Sequence, residues 1–339
     1  MTVVAARAPL RVSLGGGGTD LPSHYRARGG FVVSAAIDRY VYMLASRALG
    51  SRYVLKHLEW EEAERPEQIR HPILRAALER HWDGGPLELA SVADVPPGTG
   101  LGSSGAYTVC TLKALRLVDG RYAGARELAE DACQVEIELL GRTVGKQDQY
   151  AAAHGGVCAY TFRPDDAVEV RRLELTPPTL RALREEMLLF YTGRARSAAE
   201  LLSHQVSRTL AGDAATARNL ARSEALARET CAALEAGDLE RCAAAMEEGW
   251  EIKRARAPGA VTDELERLRA LAKASGALGV SLMGAGGGGF VLVYTPAPET
   301  TRRVMEAAGL PELRFDLDLD GCVRLAPSRS PLPQAGPRP

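Results

Sequence analysis

The chain has 339 residues, 46% of them hydrophobic, which is enough for one large domain or two lobes around a sizeable core. Its 42 Lys and Arg residues nearly balance 43 acidic residues and are scattered along the chain, which argues against a nucleic-acid binder and favours a small-molecule ligand. No apolar run has the length of a membrane span or a signal peptide, so we expect a cytoplasmic protein without a membrane partner.

The first half of the chain alternates between strand and helix signals. Runs rich in Val, Ile, Tyr and Ala predict strands near residues 10–14 and 30–46, on either side of a glycine turn. The spacing of apolar residues predicts helices at 67–81 and 126–140, and a polar turn at 141–150 re-enters a helix. Further strands are predicted at residues 87–95, 157–162 and 185–192.

The second half is predicted to be largely helical and then to return to β structure. Amphipathic spacing rich in Ala, Leu, Arg and Glu predicts helices at 195–210, 216–236, 239–252 and 263–275. Apolar runs around a glycine cluster follow at 278–294. The last fourteen residues, from Ala326, contain five prolines, and we expect a frayed tail there.

Cysteine and histidine usage gives no sign of a disulfide framework or a zinc site. No C-x-x-C pair occurs and most cysteines lie in apolar runs, so we expect reduced core thiols. None of the six histidines forms a metal-ligand pair at helical spacing. The cysteines are Cys110, Cys133, Cys158, Cys231, Cys242 and Cys322.

The segment from Asp94 to Ala106 is the most informative stretch, because glycines at 98, 100 and 102 and serines at 103 and 104 follow a strand signal and open a helix signal. Glycines can adopt backbone angles that let successive N–H groups converge on one anion, and the N-terminus of the following helix also favours negative charge. The pattern is neither a Walker A loop nor the Rossmann fingerprint. Taken alone, the alternative is a glycine-rich turn with a serine N-cap. The residues predicted to hold phosphate are Pro97, Gly98, Gly100, Leu101, Gly102, Ser103 and Ser104.

Two other glycine clusters accompany this loop, at residues 8–20 and 283–290. The three clusters, in this order and spacing, resemble those of the GHMP small-molecule kinases, whose central motif P-x-x-G-L-G-S-S loosely matches Pro96 to Ser104. The resemblance covers residues 5 to about 325. It implies an α+β fold with two lobes: a ribosomal-protein-S5-like lobe at 1–175 and a ferredoxin-like lobe at 176–325, followed by a disordered tail at 326–339. It also implies ATP and Mg²⁺ as cofactors.

Within the superfamily, the chain most resembles the D-glycero-D-manno-heptose 7-phosphate kinase group, with fucokinase domains next. The segments that carry this resemblance include Gly-Gly-Gly-Thr-Asp20 and Gly145-Lys-Gln-Asp-Gln149. Galactokinase fits less well, because its first motif has a Glu-His pair that reads the sugar where this chain has Gly17 and Gly18. One departure from the heptose group is Ser281, which stands where that group usually has a lysine before its last glycine cluster.

The resemblance implies a catalytic pair. Asp148, between Gln147 and Gln149, matches the family's catalytic base, which accepts the proton of the attacking hydroxyl. By residue type alone, an N-cap of the following helix is the alternative. Arg11 resembles the arginine that family members place against the catalytic aspartate and the transferred phosphoryl group, a role that suits a permanently charged, bidentate side chain.

A magnesium site is predicted at Ser104 and Glu136. Ser104 Oγ is a magnesium ligand by resemblance, and Mg²⁺ takes hard oxygen ligands, often only one or two from the protein. Glu136 lies twelve residues before Asp148, a spacing that resembles galactokinase-like members. Glu138 is the alternative carboxylate, and a solvated helix position is the other interpretation of either residue.

The acceptor is expected to contact the first and last glycine clusters. Thr19 and Asp20 are predicted to bond sugar hydroxyls, Gly17 and Gly18 to leave room for a larger sugar, and the loop that contains Gly286 and Gly287 to close over the ligands. Four basic residues are candidates for an anionic group on the acceptor, although a surface role is the alternative for each. They are Lys146, Arg194, Arg196 and Lys253.

The sequence thus predicts a kinase that transfers the γ-phosphoryl group of MgATP to a hydroxyl, the anomeric one, of a sugar or sugar phosphate, with a heptose 7-phosphate as the leading acceptor. A kinase for fucose, another hexose or a cyclitol is the alternative within this class. A catalytically silent nucleotide- or sugar-binding regulator is the alternative from another class. The sequence leaves open whether the protein is a monomer or a homodimer.

Overall fold

The computed structural model describes residues 3–194 and 198–325. Besides the helices below, it contains a 3₁₀ turn at Pro66–Gln68 and a π-helical segment at Gln134–Leu139. The strands are β1 (Val4–Gly15), β2 (Gly30–Arg47), β3 (Tyr53–Lys56), β4 (Trp60–Ala63), β5 (Leu87–Ala93), β6 (Val157–Phe162), β7 (Val168–Arg172), β8 (Met187–Tyr191), β9 (Gly279–Leu282), β10 (Phe290–Tyr294) and β11 (Val323–Arg324). The α-helices are α1 (Pro22–Arg28), α2 (Pro72–His81), α3 (Ser103–Val118), α4 (Ala125–Cys133), α5 (Gln147–His154), α6 (Pro177–Glu185), α7 (Ala198–Leu210), α8 (Ala214–Ala236), α9 (Leu239–Arg256), α10 (Asp263–Ala274) and α11 (Pro298–Ala307).

The larger sheet is organised around the long strand β2. One part of β2, Val41–Arg47, pairs with β5, and another part, Gly30–Ala35, pairs with β6. The main strand order is β11-β1-β2-β5-β3-β4, and β7 extends the β6 branch. All pairs are antiparallel except β3 with β5. Since β1 runs antiparallel along β2, Arg11 is fixed at a defined place in a central strand pair.

The smaller sheet has the antiparallel order β8-β10-β9. An isolated bridge between Phe190 and Glu312 adds a fourth position beside β8. Along the chain the elements are therefore β8, helices, β9, β10, helix α11 and the bridge. When the four strand positions are numbered in this chain order, their spatial order is 4-1-3-2, which is the split β-α-β arrangement of a ferredoxin-like lobe. This agrees with the predicted α+β fold.

The two sheets share one main hydrophobic core. It contains Leu10 and Val12 of β1 as well as Phe290 and Leu292 of β10. The last strand, β11, pairs with β1, so the chain returns to the larger sheet before residue 325. The division into lobes at residue 175 stays a prediction, and this return shows that the end of the second segment belongs to the first sheet.

Helix α3 is the central helix of this core. Its side chains Val109, Leu112 and Leu115 are almost fully buried, and the helix packs against β1, β2 and α5. Burying one such side chain stabilises the fold by about 1.5–3 kcal/mol. Because α3 contacts both β1 and α5, its N-terminus is held rigidly beside the residues that these elements contribute to the cleft described below.

Two predicted helices differ from those observed. The helix predicted at 67–81 begins only at Pro72, because the buried carboxylate of Glu61 accepts the backbone N–H groups of Arg70 and His71 and holds the preceding segment in a loop. The helix predicted at 126–140 leaves α geometry at Gln134 and continues as the π-helical segment. Several short elements were not predicted; they are α1, β3, β4, β7, α6, α11 and β11.

All six cysteines are free and buried, which confirms the expectation of core thiols. In the part of the chain that the structure describes, no helix combines the length and apolar character needed to span a bilayer. The predicted tail at 326–339 and Arg196 lie outside the described residues.

Candidate active site

A cleft of about 290 Å³ receives residues from both sheets and from helices α3, α5, α7, α8 and α9. Each of the three glycine clusters contributes to its wall, so the structure brings together segments that are far apart in the sequence. Within the described residues, the charged groups that line the cleft are Arg11, Asp20, Asp148, Lys253 and Arg256.

Residues 97–104, the phosphate loop, have the backbone geometry expected of their glycines. Gly98, Gly100 and Gly102 have φ angles of 77°, 86° and 79°, in the left-handed region that other residues rarely adopt. Helix α3 begins at Ser103, directly after Gly102. The Ser103 hydroxyl is buried, lines the cleft and has no hydrogen-bond partner among the described residues. An unpartnered donor at a helix N-terminus fits an anionic ligand such as a phosphate group.

The phosphate loop and the late glycine cluster contact each other through their backbones. A Cβ atom on Gly100 would lie 2.7 Å from the carbonyl oxygen of Met283, and one on Gly289 would lie 2.2 Å from that of Thr99. Both distances are shorter than real contacts allow, so neither position accepts a side chain. The lack of a side chain at these two glycines therefore lets the two segments approach closely.

Arg11 and Asp148 both line the cleft and form an ion pair there. Arg11 Nε and Nη2 lie 2.9 and 2.5 Å from Asp148 Oδ1, and Arg11 Nη1 donates to the Gly100 carbonyl. The Arg11 side chain is 6% exposed and that of Asp148 is 30% exposed. Asp148 does not cap helix α5, because Lys146 occupies the N-cap position and no side chain caps that helix end.

Ser104 and Glu136 are in direct contact. Ser104 Oγ donates to Glu136 Oε2, while Gln149 Nε2 donates to the other carboxylate oxygen at 2.9 Å. Glu136 is fully buried and belongs to the π-helical segment, a geometry often found at functional sites. Arg142 Nη1 lies 2.9 Å from Ser104 Oγ and 3.2 Å from Glu136 Oε2, so its guanidinium compensates the buried carboxylate.

The donor set at Ser104 and Glu136 fits a magnesium ion. A hydroxyl oxygen and a carboxylate oxygen lie side by side next to the phosphate loop, and Mg²⁺ bound with a nucleotide needs no more from the protein. Glu138, the alternative ligand, lines a second cavity with Lys146 and Tyr25 instead of the cleft.

Asp20 and Thr19 are adjacent in sequence but have different surroundings. Asp20 lines the cleft, and its carboxylate accepts the backbone N–H groups of Gly18 and Gln147 at 3.0 and 3.1 Å. Burial, followed by the charge of Asp148, raises the pKa of Asp20. The Thr19 hydroxyl is fully buried within hydrogen-bond distance of the carbonyls of Gly16 and Phe31, so the structure does not bring it to the cleft.

The other predicted loop residues divide into two groups. Gly17, Gly18 and Gly286 line the cleft. Gly287 turns its N–H to the carbonyl of Ala260 at 2.7 Å, on the far side of the loop. In the phosphate loop, Pro97 is exposed and Leu101 is buried, with the Leu101 carbonyl accepting the backbone N–H of Arg11 at 3.0 Å.

The predicted anion-binding residues are only partly brought together. Lys146 Nζ binds the carbonyl and carboxylate of Asp166, over the ring of Tyr25, so it lies outside the cleft. The Arg194 side chain pairs with Glu264 on the surface at 3.0 Å. Lys253 does line the cleft, where its ammonium group donates to the carbonyls of Leu282 and Gly284.

Four residues beside the cleft were not predicted from the sequence. Arg142 sits beside Ser104, while Arg256, Gln205 and Asn219 form a connected group beside the first glycine cluster. No sequence signal separates Arg256 from the exposed Arg254 two positions earlier, because only the packing of α9 distinguishes them. Gln205 and Asn219 belong to different helices, and nothing in their local sequence distinguishes them from solvated positions.

Comparison with known proteins identifies relatives over nearly the whole chain. The models for the GHMP kinases N terminal domain and the GHMP kinases C terminal match residues 71–156 and 231–309. The chain is 28% identical over 306 residues to a D-glycero-alpha-D-manno-heptose 7-phosphate kinase of Campylobacter jejuni, covering 87% of this chain and 90% of the relative. It is 30% identical over 300 residues to a mevalonate kinase of Aeropyrum pernix, covering 85% and 87%.

A solved structure has the same fold. The crystal structure of a D-glycero-D-manno-heptose 1-phosphate kinase from Bacteroides thetaiotaomicron superposes with a TM-score of 0.76 at 24% identity. The superposition covers 95% of this chain and 99% of that one, so both sheets and their helices are included.

Proposed function

The chain belongs to the GHMP kinases, and we propose that it transfers the γ-phosphoryl group of ATP to a hydroxyl group of a sugar or sugar phosphate. The observation that carries the proposal is the Arg11–Asp148 pair beside the phosphate loop. Arg11 Nε and Nη2 both donate to Asp148 Oδ1, and no hydrogen bond within the described residues involves Asp148 Oδ2. That oxygen is therefore available to accept a proton from the acceptor hydroxyl.

Each requirement of phosphoryl transfer has a residue that lines the cleft or bonds one that does. The loop Gly98, Gly100 and Gly102 and the N-terminus of α3 offer N–H groups to the phosphates of ATP. Ser104 and Glu136 would hold Mg²⁺, which when bound neutralises phosphate charge. Asp148 orients and deprotonates the acceptor, while Arg11 fixes Asp148 and places positive charge next to the transferred group.

A heptose 7-phosphate is the proposed acceptor, with the anomeric hydroxyl as the attacking group. The proposal is supported by the relative from Campylobacter jejuni, which aligns over 90% of its length. Fucose, another hexose or a cyclitol is the second candidate within the class, because the glycine clusters recognise ATP more specifically than they recognise the acceptor. The retained Asp148, Arg11, Ser104 and Glu136 argue against a silent regulator.

The test is a coupled assay for ADP formation with purified protein and MgATP. D-glycero-D-manno-heptose 7-phosphate should give the highest kcat/KM in a panel that also contains L-fucose, galactose and D-glycero-D-manno-heptose. A higher kcat/KM with an unphosphorylated sugar would select the alternative acceptor class. ADP formation that no sugar accelerates would contradict the kinase assignment.

A further inference from the structure

Two cations without a carboxylate hydrogen-bond partner line the cleft, one of them buried (Arg256) and the other half-buried (Lys253). Lys253 and Arg256 lie one helical turn apart in α9, and neither forms an ion pair within the described residues. Lys253 donates to two backbone carbonyls. Arg256 Nε donates to Asn219 Oδ1 at 2.8 Å, and its Nη1 donates to the Gly17 carbonyl at 2.5 Å.

The first glycine cluster provides the space into which Arg256 extends. A Cβ atom on Gly18 would lie 2.4 Å from Arg256 Nη1 and 3.0 Å from Gln205 Nε2. Gly18 also has a φ angle of 93°, which disfavours any other residue there. Since Gln205 Nε2 donates to the Gly18 carbonyl at 3.1 Å, both side chains meet this cluster where a larger residue at position 18 would exclude them.

The hydrogen bonds made by Arg256 leave one nitrogen of its guanidinium group without a partner. Nε and Nη1 are occupied, while no hydrogen bond within residues 3–194 and 198–325 involves Nη2. The hydrogen-bond partners of this buried guanidinium are all neutral, and the nearby charge of Asp20 compensates it only in part, which is costly unless a ligand supplies the anion. Burial lowers the pKa of Arg256 to about 10 and that of Lys253 to about 7, in line with two cations held close together away from water.

We propose that Arg256, assisted by Gln205 and Lys253, forms a subsite for a phosphate group that the acceptor already carries. The phosphate would take the free N–H groups of Arg256 Nη2 in the charge-assisted geometry that guanidinium favours. The subsite belongs to the acceptor and not to ATP, because Arg256 bonds the Gly17 carbonyl of the first glycine cluster, whereas no hydrogen bond within the described residues joins it to residues 97–104. This inference rests on the proposed kinase function and names its acceptor class.

The subsite also relates Gly17 and Gly18 to the choice of acceptor. In place of side chains on the loop itself, two residues from helices α7 and α9 reach the same space. Asp20 lies beside this group. Its negative charge favours the protonated form of Arg256, and its carboxylate accepts the backbone N–H of Gly18. The sugar hydroxyls would then meet Asp20 while the distal phosphate meets Arg256.

The experiment compares KM values for the Arg256→Gln variant with those for Arg254→Gln, an exposed arginine on the same helix. With D-glycero-D-manno-heptose 7-phosphate, Arg256→Gln should raise KM about 10-fold or more, the usual cost of losing a hydrogen bond to a charged group. KM for ATP, and KM for the unphosphorylated heptose, should stay within about twofold of wild type. Arg254→Gln should change none of these values, and Arg256→Lys should restore part of the affinity.

Two results would overturn the subsite. An equal rise in KM for ATP would assign Arg256 to the donor phosphates, and an equal rise for both sugars would make its role structural. Thermal melting identifies an unfolded variant, and in that case Gln205→Leu, which retains the buried volume, takes its place with the same expected selectivity for the phosphorylated sugar.

Calorimetry separates this inference from the proposed function. Titration of D-glycero-D-manno-heptose 7-phosphate into the protein with a non-hydrolysable ATP analogue needs no turnover. If wild type phosphorylates no sugar but binds this probe at least about tenfold more tightly than Arg256→Gln does, the function fails and the subsite stands. If wild type phosphorylates the heptose and the variant binds it equally well, the function stands and the subsite fails.

Discussion

Arg11 and Asp148 are separated by 137 positions in the chain, yet two nitrogens of the arginine bond the same oxygen of the aspartate. This arrangement fixes the carboxylate and leaves its second oxygen, Oδ2, for a ligand. Gly102 and Gly105 make the approach possible, because a Cβ on Gly105 would lie 2.7 Å from that of Asp148. The glycines at the start of α3 are therefore as necessary for this ion pair as the two charged residues.

Replacing Asp148 by Asn tests its role as the base. The amide cannot accept the proton, so kcat should fall by at least about 100-fold, while the fold and the KM for ATP are retained. Circular dichroism and nucleotide binding check the fold, and Glu138→Gln serves as the control. Near-normal turnover in folded Asp148→Asn or Asp148→Ala would refute the assignment.

Replacing Glu136 by Gln tests the metal site. The variant should need a higher Mg²⁺ concentration for half-maximal rate, because it loses the charged oxygen that lies beside Ser104. Glu138→Gln should leave this concentration unchanged, since that side chain lines the other cavity. If Glu138→Gln has the larger effect, the ligand has been misassigned by two positions.

Arg142 gives a related prediction about the metal-free protein. Its guanidinium bonds both Ser104 and Glu136, so it competes with a metal ion for the same oxygens. Arg142→Gln should lower the free energy of unfolding by about 1–3 kcal/mol without metal, because a buried carboxylate loses its counter-ion. It should also tighten Mn²⁺ binding measured by paramagnetic resonance in the absence of nucleotide. Weaker Mn²⁺ binding would mean that Arg142 supports the metal site.

Lys253 predicts a specific pH dependence of stability. Burial, Arg256 and Arg11 lower its pKa in the folded state to about 7, whereas in the unfolded chain it is near the usual 10.5. Between these values the unfolded state binds more protons, so the free energy of unfolding should rise with pH in this window. Denaturant melts of wild type and Lys253→Met from pH 6.5 to 9.5 measure it. The difference between them should move in favour of wild type as the pH rises, and a constant difference would contradict the lowered pKa.

Gly289 provides a test of the contact between the glycine clusters. Gly289→Ala places a Cβ 2.2 Å from the Thr99 carbonyl at a φ angle of 90°, and should destabilise the protein by about 1–3 kcal/mol. Because Thr99 precedes Gly100, KM for ATP should rise as well. Gly50→Ala is the matched control, since nothing lies within 4 Å of a Cβ there. Equal melting temperatures for the two variants would show that the clusters do not depend on this contact.

The sequence was sufficient to predict the family, the α+β fold and the meeting of three glycine clusters, because all three predictions depend on short glycine motifs and on their order and spacing in the chain. The comparisons confirm the family and the fold. The π-helical segment was not predictable, because α and π turns bury nearly the same apolar residues over so short a stretch. The positions of Lys146 and Arg194 were not predictable either, since partners far away in sequence, Asp166 and Glu264, hold their side chains outside the cleft.

The central claim is that this cleft transfers a phosphoryl group from ATP to a sugar hydroxyl. The direct measurement is ³¹P NMR of the protein with MgATP and D-glycero-D-manno-heptose 7-phosphate, repeated with Asp148→Ala. The account predicts a new signal from a phosphate on the anomeric carbon, formed in step with ADP by the wild type and at least about 100-fold more slowly by the variant. ADP and inorganic phosphate without any new sugar phosphate would contradict it.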